Sequence, residues 1–297
     1  MYPNRYTGIF PALFTPFRAD GVIDEHATEA LIEMHLRSGV SGFYVGGISG
    51  EVFLMSAEER MLALRLCADI VGGRATLIAQ VGDVSEEKAL RLAVYARRCC
   101  YDAVSAVVPL YYKFGFENIK EYYHNIAAAA ELPMFIHYIA AMQSENFNLN
   151  QILELVLPDY IAGIRYTSND LYIFERIRAA FSNKAVMFGM DEALMAGLAL
   201  GADGAIGTAY NFMPDKAVGV MTAIKTRELA EARRLQGEIN TVLTCLHEVG
   251  LFEGAKALLD MMGLDIGRCR RPFGTVSEEH LRLLREQALP LMKPLRG

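Results

Sequence analysis

Short, almost wholly apolar segments alternate along the chain with longer amphipathic segments. Apolar residues at nearly every position are typical of parallel strands that are buried on both faces of a sheet. The apolar segments predict eight strands, which are Gly8–Phe14, Gly42–Val45, Thr76–Val81, Ala103–Val108, Pro133–Tyr138, Ile161–Arg165, Ala185–Phe188 and Gly204–Gly207.

The amphipathic segments between these strands predict helices. Ser56 and Ser85 stand where an N-cap is expected, and each is followed by glutamates that complement the helix dipole. The predicted helices are Glu25–Arg37, Ala57–Val71, Ser85–Cys99, Asn118–Ala130, Asn148–Val156, Asp170–Ala180 and Glu192–Leu200. Strict alternation of about eight such units favours an α/β fold, a closed (β/α)8 TIM barrel, over an open doubly wound sheet.

After the eighth strand the pattern contains only helices. They are predicted at Pro214–Lys225, Glu228–Val249, Glu253–Met262 and Ser277–Leu291. We therefore predict two parts, a (β/α)8 barrel of residues 1–213 and a C-terminal helical extension of residues 214–297. No Gly-x-Gly-x-x-Gly motif follows the first strand, which disfavours dinucleotide binding.

Composition narrows the class of protein. The chain has 297 residues, of which 53% are hydrophobic and 22% charged, so it can bury a large core. A formal net charge of −6 and the lack of a Lys/Arg run argue against nucleic-acid and membrane partners. Residues 1–8 lack the apolar region of a signal peptide, and no long apolar stretch is free of charges, so we expect a soluble cytoplasmic protein. Five cysteines without a Cys-x-x-Cys motif predict neither disulfides nor a zinc site.

Candidate chemistry lies at the carboxyl ends of the predicted strands, where barrels of this kind carry their sites. The glycine-rich turn of residues 46–51 either binds a carboxylate through backbone N–H groups and Ser49, or is only a tight turn. Asp191 and Glu192 are either ligand contacts or charges at a helix N-terminus. His137 is either a core histidine or a functional one. Arg165 ends an apolar strand, and a buried guanidinium needs an anion from a ligand or from the protein.

A group of motifs together resembles the N-acetylneuraminate lyase / dihydrodipicolinate synthase family, and within it the lyase subgroup most. The motifs are Leu13–Phe17, Gly42–Gly47, Ser49–Glu51, Asp102–Tyr112, Thr167–Tyr172, Gly189–Glu192, Leu198–Gly204, Tyr210–Asn211 and Arg271–Gly274. The resemblance implies a (β/α)8 barrel that assembles as a homotetramer, a dimer of dimers. It also implies a Schiff base between a lysine and a 2-keto acid, without metal or organic cofactor.

Three positions depart from the family pattern. Arg165 stands at the lysine position, His137 at the position of a proton-relaying tyrosine, and Ile48 at the first hydroxyl of the carboxylate-binding turn. Ser49 and Gly50 keep that turn otherwise intact. A guanidinium stays charged and is not a useful nucleophile, so the normal imine chemistry is not expected. Tyr138 follows His137 on the same strand and is predicted to point to the opposite face.

Other matched positions are those of the outer pocket. By resemblance, Thr167, Gly189, Asp191, Glu192 and Thr208 hold the polyhydroxylated tail of a sugar acid, and Tyr111 reaches into the neighbouring subunit's site. The alternative amine that the sequence offers near a strand end is Lys113, in the loop after the fourth strand.

Three hypotheses remain open at this point. The first is a family member that binds a small 2-keto acid or sugar acid, such as pyruvate or sialic acid, without Schiff-base aldolase activity. The second is a lyase with imine-free chemistry, in which His137 acts as general acid/base and Arg165 stabilises an enolate. The third is a non-catalytic partner of an active lyase.

Overall fold

The computed structural model describes residues 5–142 and 147–293. Residues 1–4 and 294–297, which belong to the predicted barrel and extension, lie outside the described residues. Eight parallel strands form one sheet in the order β1-β8-β7-β6-β5-β4-β3-β2. They are β1 Gly8–Pro11, β2 Gly42–Val45, β3 Thr76–Gln80, β4 Ala103–Val107, β5 Met134–Ile139, β6 Ile161–Thr167, β7 Ala185–Phe188 and β8 Gly204–Gly207.

The two outer strands of that order meet and close the ring. The Ser41 N–H donates to the Ile9 carbonyl at 2.9 Å, and the Leu13 N–H donates to the Tyr44 carbonyl at 3.0 Å. The predicted (β/α)8 barrel is therefore confirmed. β1 ends at Pro11 rather than at the predicted Phe14, because the Phe14 N–H leaves the strand ladder and donates to the Asn211 side chain.

The helices lie between the strands and after β8. They are α1 Glu25–Arg37, α2 Ala57–Val71, α3 Glu86–Arg98, α4 Phe116–Ala130, α5 Leu149–Val156, α6 Leu171–Ala180, α7 Leu194–Ala199, α8 Pro214–Thr226, α9 Leu229–Val249, α10 Leu251–Met261 and α11 Glu278–Leu283. Ser56 and Ser85 cap α2 and α3 as predicted. The predicted helix over 277–291 gives way after α11 to a π turn and a 3-10 turn. Pro290 is one reason, since it cannot donate to the carbonyl four residues earlier.

Side chains on the inner face of the strands fill the barrel, and those on the outer face pack against the helices. Phe10, Ile78, Phe135 and Met187 belong to the inner cluster. Tyr138 belongs to the outer cluster, where its ring stacks on Tyr166 with centroids 5.4 Å apart. Tyr138 thus points away from the barrel interior, as predicted from the alternation along β5.

The helices after β8 pack on one another and on the barrel. α8 contacts β1 and α7 as well as α9, and α10 packs on α9. The segment after α10 returns to the mouth of the barrel, where the Ile266 carbonyl accepts from the Phe17 N–H at 3.2 Å. The division at residue 213 stays a prediction. Within the described residues, no helix combines the length and the apolar character that crossing a membrane would need.

Candidate active site at the barrel mouth

The turns after β2 and β8 meet across the mouth of the barrel. The Ser49 and Thr208 hydroxyl oxygens are 2.7 Å apart. Ser49 lies in the 3-10 turn Ile48–Gly50, and the Gly50 carbonyl accepts from the Thr15 hydroxyl at 2.9 Å. Ile48 is half-buried and packs against the outer hydrophobic cluster. The structure therefore brings Ser49 and Thr208 together on neighbouring turns, with Ile48 directed into apolar packing.

Arg165 is a buried cation near the end of β6, and only 7% of the residue is exposed. Its guanidinium carbon lies 5.0 Å from the centre of the Tyr44 ring, and its Nε atom has no hydrogen-bond partner among residues 5–142 and 147–293. Burial lowers the pKa of Arg165, while nearby Tyr44, Asp191 and Tyr210 oppose that effect. Among the described residues, no carboxylate lies within ion-pair distance of it. The described part of the chain therefore leaves this cation without an ion-pair partner, although Asp191 acts on its pKa.

His137 joins two hydroxyl groups inside the barrel. Its Nδ1 atom lies 3.3 Å from the Tyr44 hydroxyl, and its Nε2 atom lies 3.4 Å from the Thr167 hydroxyl. The Tyr44 hydroxyl in turn donates to Ser105 at 3.1 Å. Burial, and then the charge of Arg165, hold the pKa of His137 well below its usual value. The imidazole is therefore neutral at neutral pH, which weakens the role of general acid that the sequence suggested.

Asp191 and Tyr210 add two more buried polar atoms without a partner. The Asp191 Oδ2 atom accepts from the Ala209 N–H at 2.7 Å, whereas Oδ1 has no partner. Burial raises the pKa of Asp191 to about 7, although the Ala209 hydrogen bond lowers it. A Cβ atom at Gly207 would lie 1.8 Å from Oδ1, so this close approach needs glycine. The fully buried Tyr210 hydroxyl meets no hydrogen-bond partner of good geometry among the described residues, although burial and nearby Asp191 both raise its pKa.

The remaining predicted residues lie at different depths. Thr167 contacts Gly189 so closely that a Cβ atom there would stand 2.0 Å from the threonine hydroxyl. The Glu192 side chain is 44% exposed and lies 3.5 Å from His247, at the rim.

Tyr111 and Lys113 lie apart from these residues, on the surface. Tyr111 is 92% exposed, and Lys113 is exposed beside it, next to a cavity of about 170 Å³. No hydrogen bond or ion pair among the described residues joins Tyr111 or Lys113 to Arg165.

Sequence reasoning missed four residues near this site. Tyr44 and Ser105 lie inside the barrel on β2 and β4, Tyr210 follows β8, and Lys256 reaches the barrel from α10. The alternation of Gly42 and Tyr44 along β2 carried a signal for the first of these, because every second side chain faces inward.

Comparison with known proteins shows which family the chain belongs to. The model of the dihydrodipicolinate synthetase family matches residues 5–289. The chain belongs to the dihydrodipicolinate synthetase family. Within this family, the chain is 43% identical over 288 residues to the N-acetylneuraminate lyase of Rhizobium meliloti (strain 1021), covering 97% of this chain and 96% of the relative.

Solved structures that are similar to this chain have the same fold. CdNal from Clostridium difficile, solved in complex with mannosamine, is 34% identical with a TM-score of 0.93, covering 97% of this chain and 99% of that one. The N-acetylneuraminate lyase of Fusobacterium nucleatum, complexed with pyruvate, is 33% identical with a TM-score of 0.93, covering 99% and 100%. The chain is thus similar to lyases over its whole length.

Proposed function

We propose that this chain binds a 2-keto acid or a sugar acid at the barrel mouth and does so without forming a Schiff base. The observation that carries the proposal is the set of buried polar atoms without partners, on Arg165, Asp191 and Tyr210. Buried polar groups in proteins are nearly always hydrogen-bonded, so such a set indicates a ligand or ordered water. A Cβ atom at Gly207 would lie 1.8 Å from the Asp191 Oδ1 atom and 2.7 Å from the Tyr210 ring, so these two side chains are close together. The charge of Arg165 lowers the pKa of Asp191, which supports the assignment of the guanidinium to the same pocket.

In this proposal, positive and neutral donors bind the acid group. Arg165 supplies a charge-assisted hydrogen bond, and Ser49 with the Gly50 backbone supplies neutral ones. Support comes from the F. nucleatum lyase, which was solved with pyruvate. Ile48 stands in place of a hydroxyl in this turn and packs against the outer hydrophobic cluster, so its side chain donates no hydrogen bond to the acid group.

The proposed polyol contacts come from the turns after β6, β7 and β8. Thr167, Asp191 and Thr208 face the site, with Gly189 allowing close approach and Glu192 at the rim. The C. difficile protein solved with mannosamine supports an amino-sugar or sugar-acid tail for this part. We also propose a homotetramer in the cytoplasm, in which the exposed Tyr111 contacts the neighbouring subunit.

An imine-free lyase is the second candidate. The contact of His137 with the Thr167 hydroxyl favours it, because the Tyr44 hydroxyl donates its proton to Ser105 and so accepts from the His137 Nδ1–H. The Nε2 atom of the neutral imidazole is then the nitrogen that accepts a proton, on the side of Thr167. Arg165 would then stabilise an enolate by charge.

The test combines binding with borohydride trapping, which reduces an imine to a stable amine. We expect pyruvate and N-acetylneuraminate to bind in calorimetry, with no reduced pyruvate adduct in the intact mass. The matched variant Arg165→Lys should form the adduct, because a buried lysine without a carboxylate loses its proton readily. An adduct on the wild-type chain would overturn the proposal, and peptide mapping would then identify the lysine. Cleavage of N-acetylneuraminate without an adduct would select the imine-free lyase.

A further inference from the structure

Glu51 is the last residue of the glycine-rich turn 46–51, the acid-binding turn of the proposed function. Its backbone has a conformation that residues other than glycine rarely adopt. Its backbone has φ 59° and ψ 31°, the left-handed region, and it lies between the 3-10 turns Ile48–Gly50 and Val52–Leu54. This conformation is unfavourable for any residue with a Cβ atom, so surrounding contacts must maintain it. The residue is also buried, with 3% exposed.

Those contacts come from the helical extension. The Glu51 Oε1 atom is 2.7 Å from the Lys256 ammonium on α10, and Oε2 accepts from the Arg270 N–H at 2.7 Å. The Lys256 and Glu51 side chains are 2% and 0% exposed. Water therefore cannot reach this charge pair, and removing either side chain would leave the other as an uncompensated buried charge.

Lys256 also ties the acid-binding turn to the end of the first strand. Its ammonium donates to the Thr15 carbonyl at 3.0 Å, and the Thr15 hydroxyl donates to the Gly50 carbonyl at 2.9 Å. The Arg270 guanidinium donates to the carbonyl of Leu54, the last residue of the second 3-10 turn, at 3.0 Å. The turn that carries Ser49 is thus held on both sides by residues of the extension.

We propose that Glu51 and Lys256 are positioning residues that hold the Ser49 turn in the geometry that binds an acid group. The proposal rests on the proposed function, which assigns that turn to the ligand carboxylate. Well-packed apolar residues often replace a buried ion pair without loss of stability, so stability alone is a weak reason for this pair. A fixed place for Ser49, beside Thr208, is a role that an apolar pair would not fill.

The test uses a double variant, Glu51→Gln/Lys256→Met, because either single change leaves a buried charge unpaired and destabilises the whole fold. The matched control is Lys216→Met/Glu238→Gln, which removes an ion pair between α8 and α9. We expect the dissociation constant for pyruvate to rise about tenfold in the first variant and to stay within about twofold in the second.

A double-mutant cycle with Ser49→Ala separates positioning from general weakening. Ser49→Ala should weaken pyruvate binding about fivefold in the wild-type chain and have no further effect in Glu51→Gln/Lys256→Met. Equal effects of Ser49→Ala in both backgrounds would overturn the proposal.

Hydrogen exchange keeps the inference testable if the proposed function fails. Amides of residues 46–55 should exchange at least about tenfold faster in Glu51→Gln/Lys256→Met than in the wild-type chain, with the control variant unchanged. Absence of pyruvate binding to the wild-type chain would reject the proposed function, while this exchange still reports on the turn. Unchanged exchange would reject the positioning role.

Discussion

Two buried cations near the barrel mouth have opposite surroundings. The Lys256 ammonium contacts the Glu51 carboxylate and the carbonyls of Thr15 and Arg268. The Arg165 guanidinium packs on the Tyr44 ring and leaves its Nε atom without a partner. A cation that lies against a buried carboxylate and donates to two backbone carbonyls holds the fold together. A cation left incomplete at a strand end is available to a ligand.

Lys256→Met should have the largest effect, because it leaves the Glu51 carboxylate buried without its partner. We expect the free energy of unfolding to fall by about 3–5 kcal/mol. Urea denaturation followed by circular dichroism would measure it. Glu51→Gln/Lys256→Met should recover most of the loss, and a double variant as unstable as the single one would contradict the interpretation.

Asp191→Asn tests the unpaired carboxylate. The pKa of Asp191 is about 7 in the fold and near 3.8 ordinarily, so the folded state binds more protons between these pH values. The contribution of Asp191 to the stability of the fold is therefore fully present below about pH 4 and is lost as the pH rises through 7. We expect the stability of Asp191→Asn relative to the wild-type chain to increase by on the order of 3 kcal/mol between pH 4 and pH 8.

The comparison between Asp191→Asn and the wild-type chain is needed at each pH. Burial also lowers the pKa of His35 to about 4, so the contribution of His35 to the stability of the fold rises with pH in the same range. Denaturation curves of both proteins at several pH values would isolate the carboxylate. A constant difference between them would show that Asp191 does not titrate in this window.

Arg165→Met should weaken binding without weakening the fold. Removing a buried cation that has no carboxylate partner should not lower the free energy of unfolding, and should raise it, because the burial of that charge is uncompensated. Pyruvate binding should weaken by about 1.5–3 kcal/mol, the contribution of a hydrogen bond to a charged group. Calorimetry beside urea denaturation would check both. A stability loss as large as that of Lys256→Met would mean that Arg165 is structural.

Glu192→Gln should have the smallest effect. The side chain is 44% exposed at the rim, so water replaces most of what the substitution removes. We expect N-acetylneuraminate binding to change by less than about 1 kcal/mol and pyruvate binding not to change, since pyruvate has no polyol tail. A larger loss for pyruvate would move Glu192 into the acid-binding part of the site.

The strands were predictable because parallel strands buried on both faces are apolar at nearly every position. The end of β1 was not, because the contact between Phe14 and Asn211 joins residues 197 positions apart. Strand ends identified Arg165, His137 and Asp191 as candidates. Their pKa shifts could be deduced only from the folded structure, since the low pKa of His137 and the raised pKa of Asp191 both come mainly from burial.

The contacts among site residues were the least predictable part. Tyr44 and His137 are 93 positions apart in sequence, and only closure of the barrel brings them together. Lys256 belongs to a helix of the extension, so a search restricted to strand ends could not find it.

The contacts of Lys256 and Arg270 can form only late in the synthesis of the chain. All eight strands have left the ribosome before α10 exists, yet Arg270 binds a glutamate that was made 219 residues earlier. A chain that stops near residue 250 would therefore contain every strand of the barrel but neither Lys256 nor Arg270. The contacts that support the turn carrying Ser49 are made by a part of the chain that is synthesised after all eight strands.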